Sequence, residues 1–134
     1  MGCVLRASGT EFMIDKFLER TNLVPHILFR KGPPKSAEGK PYKRSGLNVL
    51  VSDGEFNCLE TQIIEALSFL RKHEEEIDRL GQFPGVENIC LDFAVAYRDS
   101  FIQNESFPPE LIRLAGRLGL GIELSIFQAT EPSP

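Results

Sequence analysis

The sequence predicts an α+β two-layer sandwich: a five-stranded mixed or antiparallel sheet with helices on one face, in the order β-α-β-β-α-β-α-β. Three observations carry that expectation. Residues 88–97 (NICLDFAVAY) and 122–127 (IELSIF) alternate large apolar with small or polar side chains, the period of a strand with one buried face. Between them, residues 107–119 (FPPELIRLAGRLG) repeat apolar positions at helical spacing, which completes a strand–helix–strand unit. Upstream, the first six elements follow the order of a ferredoxin-like split β-α-β unit. Short connections and right-handed crossovers then favour one sheet with its helices gathered on one side.

Residues 3–8 (CVLRAS) read as the first strand, with Cys3, Leu5 and Ala7 toward the core and Val4, Arg6 and Ser8 away from it. Asp15 is placed to cap a short helix running to Thr21, anchored by Phe17 and Leu18. Residues 24–31 (VPHILFRK) predict a second strand at a sheet edge, because Pro25 has no N–H to give a ladder. Its register is open: it presents either His26, Leu28 and Arg30 or Ile27 and Phe29 outward. Residues 32–45 (GPPKSAEGKPYKRS) hold three prolines, two glycines and scattered lysines, and predict a flexible basic loop. Residues 47–52 (LNVLVS) predict the third strand, with Leu47, Val49 and Val51 together. Asn57 followed by Glu60 resembles a capping box. Leu59, Ile63, Leu67, Leu70, Ile77 and Leu80 then line one stripe of a helix of about six turns. The run Glu74-Glu75-Glu76 interrupts that stripe, so its last turns are expected to overhang the core, and Gly81 is suited to close the helix. The final helix is expected to begin at Pro108 or Pro109, bury Leu111, Leu114, Ala115 and Leu118, and stop at Gly119.

A chain of 134 residues with an ordinary balance of apolar and charged residues predicts one domain, spanning 1–134, that folds without a covalent staple. The formal net charge of −4 argues against a general nucleic-acid binder, and no nucleic-acid partner is expected. No apolar run approaches the roughly 18 residues of a membrane span, and no membrane is expected. The opening residues lack the pattern of a secretory signal, and Arg6 stands where a myristoylation motif needs Ser or Thr. The three cysteines, Cys3, Cys58 and Cys90, are odd in number and far apart, a poor disulfide framework. These features predict a cytoplasmic protein of bacterial style with reduced thiols.

If the large apolar residues face the helices, the opposite sheet face carries Val4, Arg6, Ser8, Asn48, Leu50, Ser52, Cys90, Asp92, Ala94, Ala96, Glu123, Ser125 and Phe127. That mixture suits either a solvated face with cross-strand charge pairs or the contact surface of a protein partner, a copy of itself included. Asp92 and Glu123 form the best carboxylate pair; two close carboxylates can divide acid and base roles, unless Arg6 neutralises one of them. His26 and His73 have no second ligand at a metal-type spacing, and no metal or cofactor is expected. Cys58 lies near a helix N-terminus, where a dipole lowers a thiol pKa, but only carboxylates neighbour it. Arg30, Lys31, Lys35, Lys40, Lys43 and Arg44 face a single acid, Glu38, in and beside the basic loop. With Tyr42 available for stacking, this patch fits an acidic partner or a phosphate. Gly116, Gly119 and Gly121 follow a helix and precede a strand, the reverse of a phosphate-binding fingerprint.

Residues 2–9 (GCVLRASG), Phe29-Arg30-Lys31-Gly32 and residues 107–127 resemble a family of small uncharacterised bacterial α+β proteins, a domain of unknown function. Some such families are suspected immunity or interaction modules. The resemblance implies residues 32–45 as a variable insert and a binding role, and it carries no active-site residue onto this chain. The leading expectation is a small cytoplasmic interaction module, acting through the open sheet face (Arg6, Asp92, Glu123, Phe127) or the basic loop (Lys40, Tyr42, Lys43, Arg44), with a homodimer among its forms. The alternatives are an enzyme of unknown class using Asp92 and Glu123, and an immunity-type protein that binds a toxin. On the leading expectation, replacing Arg6 and Phe127 by Ala weakens association without unfolding the protein.

Overall fold

The computed structural model describes residues 2–33 and 39–128. Its elements are β1 (Cys3–Gly9), α1 (Ile14–Leu18), β2 (Pro25–Phe29), β3 (Ser45–Ser52), α2 (Leu59–Lys72), α3 (Glu74–Gln82), β4 (Asn88–Ala96), α4 (Pro109–Arg117) and β5 (Gly121–Phe127). They build one five-stranded sheet in the order β2-β3-β1-β4-β5. The first four strands are antiparallel neighbours, with β3 inserted between β1 and β2 as in a split β-α-β unit. β5 lies parallel to β4 and is reached through α4, the crossover that a parallel pair requires.

Alternation explains the layers. Cys3, Leu5 and Ala7 of β1, Leu47, Val49 and Val51 of β3, and Leu91, Phe93 and Val95 of β4 are buried on the helix side. Ile63, Ala66, Leu67 and Leu70 of α2, Ile77 and Leu80 of α3, and Leu111 and Leu114 of α4 close over them. Phe12, Phe17 and Phe83 pack at ring separations of 5.3–6.2 Å and seal one end. At that end the backbones of Gly9 and Gly85 approach so closely that a Cβ on Gly9 would overlap the Gly85 carbonyl oxygen.

The predicted six-turn helix is two helices. The chain breaks at His73 (φ −114°, ψ 24°), and the acidic run opens α3, where its carboxylates meet the positive end of a new helix dipole. Glu74 pairs with Arg117, and Glu76 with Arg79 at 2.9 Å. The break turns Ile77 and Leu80 fully into the core instead of letting them overhang it. Gly81 therefore lies inside α3, and the glycine with positive φ is Gly85 in the following turn. Two predicted caps are also absent. Cys58 is the N-cap of α2 and makes no side-chain cap bond. Asp15 sits in the first turn of α1, and its carboxylate instead accepts Arg30 at 2.8 Å. α4 does begin at Pro109, and it closes with Gly119 at φ 74° and the Leu120 N–H donating to the Ala115 carbonyl at 2.8 Å.

Two bulges set which side chains reach the open face. Cys3 opposes Ser52 while Val4 opposes Leu50, so one extra residue of β3 inverts the alternation there. Ser52 consequently turns to the helix side, where its hydroxyl donates to Glu65 of α2 at 2.9 Å, and it leaves the predicted outward set. In β2 a second irregularity lies between Pro25 and Ile27; beyond it Ile27 opposes Asn48 and Phe29 opposes Gly46. The outward residues of this edge strand are therefore Ile27 and Phe29. The ends of the basic loop are tied by reciprocal backbone bonds between Gly32 and Tyr42, at 3.0 and 2.9 Å. Lys35 and Glu38 lie outside the described residues.

Candidate functional site

The open face is a grid of cross-strand neighbours. Arg6 on β1 stands between Asn48 on β3 and Cys90 on β4, and Val4 stands between Leu50 and Asp92. Across to β5, Asp92 opposes Glu123, Ala94 opposes Ser125, and Ala96 opposes Phe127. Arg6, Asp92, Glu123 and Phe127, separated by up to 121 positions in the chain, thus share one surface.

At its centre lies a buried carboxylate. Asp92 is 4% exposed, and Arg6, 48% exposed, reaches diagonally across to place Nη2 2.6 Å from its Oδ2. The Ser125 hydroxyl completes the site, 2.7 Å from Oδ1 and 2.9 Å from Oδ2. Both oxygens of Asp92 are engaged, so Asp92 and Glu123 are neighbours in register but not a free acid–base couple. Glu123 is exposed and lies against the Cys90 thiol.

The same environment quiets two cysteines. Burial pushes the Cys90 thiol from 9.0 up to about 11; Glu123 and Asp92 add to the rise, and Arg6 opposes it. Cys3 is pushed up further, first by burial and then by the charge of Asp92. Cys58 is exposed at the start of α2. Alkylation of the folded protein near neutral pH is therefore expected to label Cys58 alone, read by peptide mass spectrometry; adducts on Cys3 or Cys90 would contradict this. The pH dependence has a definite sign. Above pH 9 the unfolded chain releases thiol protons that the folded chain keeps, so stability falls as pH rises from about 9 toward 11. Urea midpoints measured across that window check it.

Aromatic pairs occupy diagonal corners of the face. Beside β2, the Phe29 ring lies over Gly46, and its centroid is 5.5 Å from that of Tyr42. Beside β5, Phe127 stacks on Phe56 at 4.8 Å and 10°. The Phe56 carbonyl accepts the Ala96 N–H at 3.0 Å, and an open depression lined by Glu55, Phe56, Asn57 and Ala96 adjoins this corner. Tyr42 thereby joins the face that holds Arg6. Lys40, Lys43 and Arg44 are exposed on the flanking loop, and Arg44 lends its charge to Glu87. Phe56 escaped the sequence reading because it lies between β3 and α2, where no periodicity assigns it a side.

Among the described residues, no helix is long and apolar enough to cross a membrane, and no group of three or more His, Cys, Asp or Glu side chains converges on a metal-sized site. No protein-family model, no curated protein and no solved structure matches the chain significantly.

Proposed function

We propose that this chain is a protein-interaction domain whose contact surface is the open face of the sheet. The observation that carries the reading is the diagonal placement of Phe29/Tyr42 and Phe56/Phe127 around the Arg6–Asp92 centre. Ile27, Tyr42, Phe56 and Phe127 all remain exposed. Exposed aromatic side chains are enriched among the anchors of protein contacts. Lys40, Lys43 and Arg44 border the β2 corner, which favours a partner with acidic groups beside its apolar patch. Free cysteines in the described chain fit a reducing, cytoplasmic setting. An enzymatic use of Asp92 draws no support from its geometry, because Arg6 and Ser125 already hold the carboxylate.

Replacing Arg6 is a poor test of this reading, since Arg6 neutralises a buried acid and its loss perturbs the fold. Tyr42→Ala combined with Phe56→Ala changes only exposed side chains. That double variant is expected to stay folded, with its urea midpoint lowered only by the loss of the two ring contacts, while its recovery of the proteins bound by the wild type, measured by quantitative affinity capture, drops about tenfold. Equal recovery would remove the open face from consideration.

A further inference from the structure

The two edges of the sheet are not equivalent. β2 carries the devices that blunt an edge: a proline, an irregular register and a following Arg30-Lys31 pair. β5 (GIELSIF) carries almost none. It is seven residues long, pairs with β4 in unbroken register from Gly121 to Phe127, and contains no proline or lysine. Leu124 is 36% exposed and Ile126 is 53% exposed.

The direction of its backbone groups follows from one bond. The Phe127 carbonyl accepts the Tyr97 N–H at 2.8 Å, so Phe127 directs its backbone groups toward β4. Alternation along a strand gives Gly121, Glu123 and Ser125 the same direction. Ile122, Leu124 and Ile126 therefore point their N–H and C=O groups out of the sheet, and among the described residues no backbone bond satisfies them.

We infer that β5 is a self-pairing edge, and that two copies of this chain associate through antiparallel β5 strands about a twofold axis at Leu124. Leu124 then opposes Leu124 of the second copy, and Ile122 opposes its Ile126. These are the residues with outward groups, and each such pair exchanges two backbone hydrogen bonds. On the helix side the register makes an unbroken aliphatic row of Ile122, Leu124 and Ile126 from both copies. On the open side the lone charge of the strand, Glu123, faces Ser125 and not a second Glu123. Phe127 falls opposite Gly121, the aromatic-over-glycine pairing that Phe29 and Gly46 already make within the chain. A twofold contact consumes the edge it uses, and β2 is protected, so the product is a closed dimer and not a fibre. It would also join two open faces into one continuous surface. The inference rests on the edge and not on the open face; the Tyr42→Ala, Phe56→Ala variant should dimerise normally.

The test is molar mass by light scattering of the full chain, over a wide concentration series under reducing conditions, with amide hydrogen exchange at the same concentrations. The expected result is a dimer in which the Ile122, Leu124 and Ile126 amides exchange slowly. Leu124→Lys should weaken that dimer by about a hundredfold or more, because like charges then meet across the axis. Ile126→Pro should weaken it too while leaving the β4 ladder intact, since the N–H it removes points outward. A wild type that stays monomeric, a dimer with fast exchange at these three amides, or a dimer that survives both folded variants would each overturn the inference. Because exchange is read on the wild type, misfolding of a variant leaves the proposal open to refutation.

Discussion

Arg6→Ala is expected to lower the unfolding free energy by about 3 kcal/mol, the lower end of the cost of removing one partner from a buried ion pair. Asp92 would stay almost fully buried with Ser125 as its remaining partner. The half-exposure of Arg6 keeps the loss at that lower end, because water can enter where the guanidinium leaves. Urea unfolding followed by circular dichroism measures the effect. Asp92→Asn in the same background should restore much of it, since the amide carries no charge and its oxygen still accepts the Ser125 proton. The resulting double-mutant cycle should give a coupling of about 2 kcal/mol. A loss below about 1 kcal/mol would instead place the pair with exposed salt bridges.

Gln62→Leu should also destabilise the fold, for a different reason. Gln62 is fully buried on α2, and its amide acts as a surrogate strand at the point where β1 has ended. Its Nε2 donates to the Ala94 carbonyl at 2.7 Å and to the Glu55 carbonyl at 2.9 Å, and its Oε1 accepts the Ala94 N–H at 3.2 Å. The Ala94 N–H keeps a second acceptor in the Gly2 carbonyl at 2.8 Å. The Ala94 carbonyl loses its partner while the Glu55 carbonyl keeps the Cys58 N–H at 3.0 Å, so one unsatisfied buried group sets the expected loss at about 2 kcal/mol. Leucine nearly conserves the volume, so the measurement isolates the polar term. The same substitution should loosen the segment from Glu55 to Cys58 that carries Phe56, seen as faster amide exchange there. A loss under about 1 kcal/mol would mean that water replaces the amide.

The layers were legible because burial leaves a periodic trace. Alternation in residues 88–97 and 122–127, helical spacing in residues 107–119, and Pro25 as an edge signal all describe β4, β5, α4 and β2 correctly. The same parity places Arg6, Asp92, Glu123 and Phe127 on one face whatever the strand order, and it allows Arg6 as the neutralising partner of Asp92.

What escaped has no period. Where Val51 bulges, one residue inverts the alternation, and Ser52 changes sides. At His73 the apolar stripe continues through the break, so the stripe alone cannot reveal two helices. Asp15 and Asn57 are chemically able to cap, but Asp15 spends its carboxylate on Arg30, fifteen residues away, and Asn57 turns toward Cys58. The roles of Gln62 and Ser125 depend on acceptors 32 and 33 residues distant. The outward direction of the β5 backbone depends on which strand lies beside it. Composition and spacing therefore determine which side of each element is apolar, because that is a property of neighbouring residues. Which polar group meets which, and which edge is left unpaired, is settled only when distant segments are brought within hydrogen-bond range.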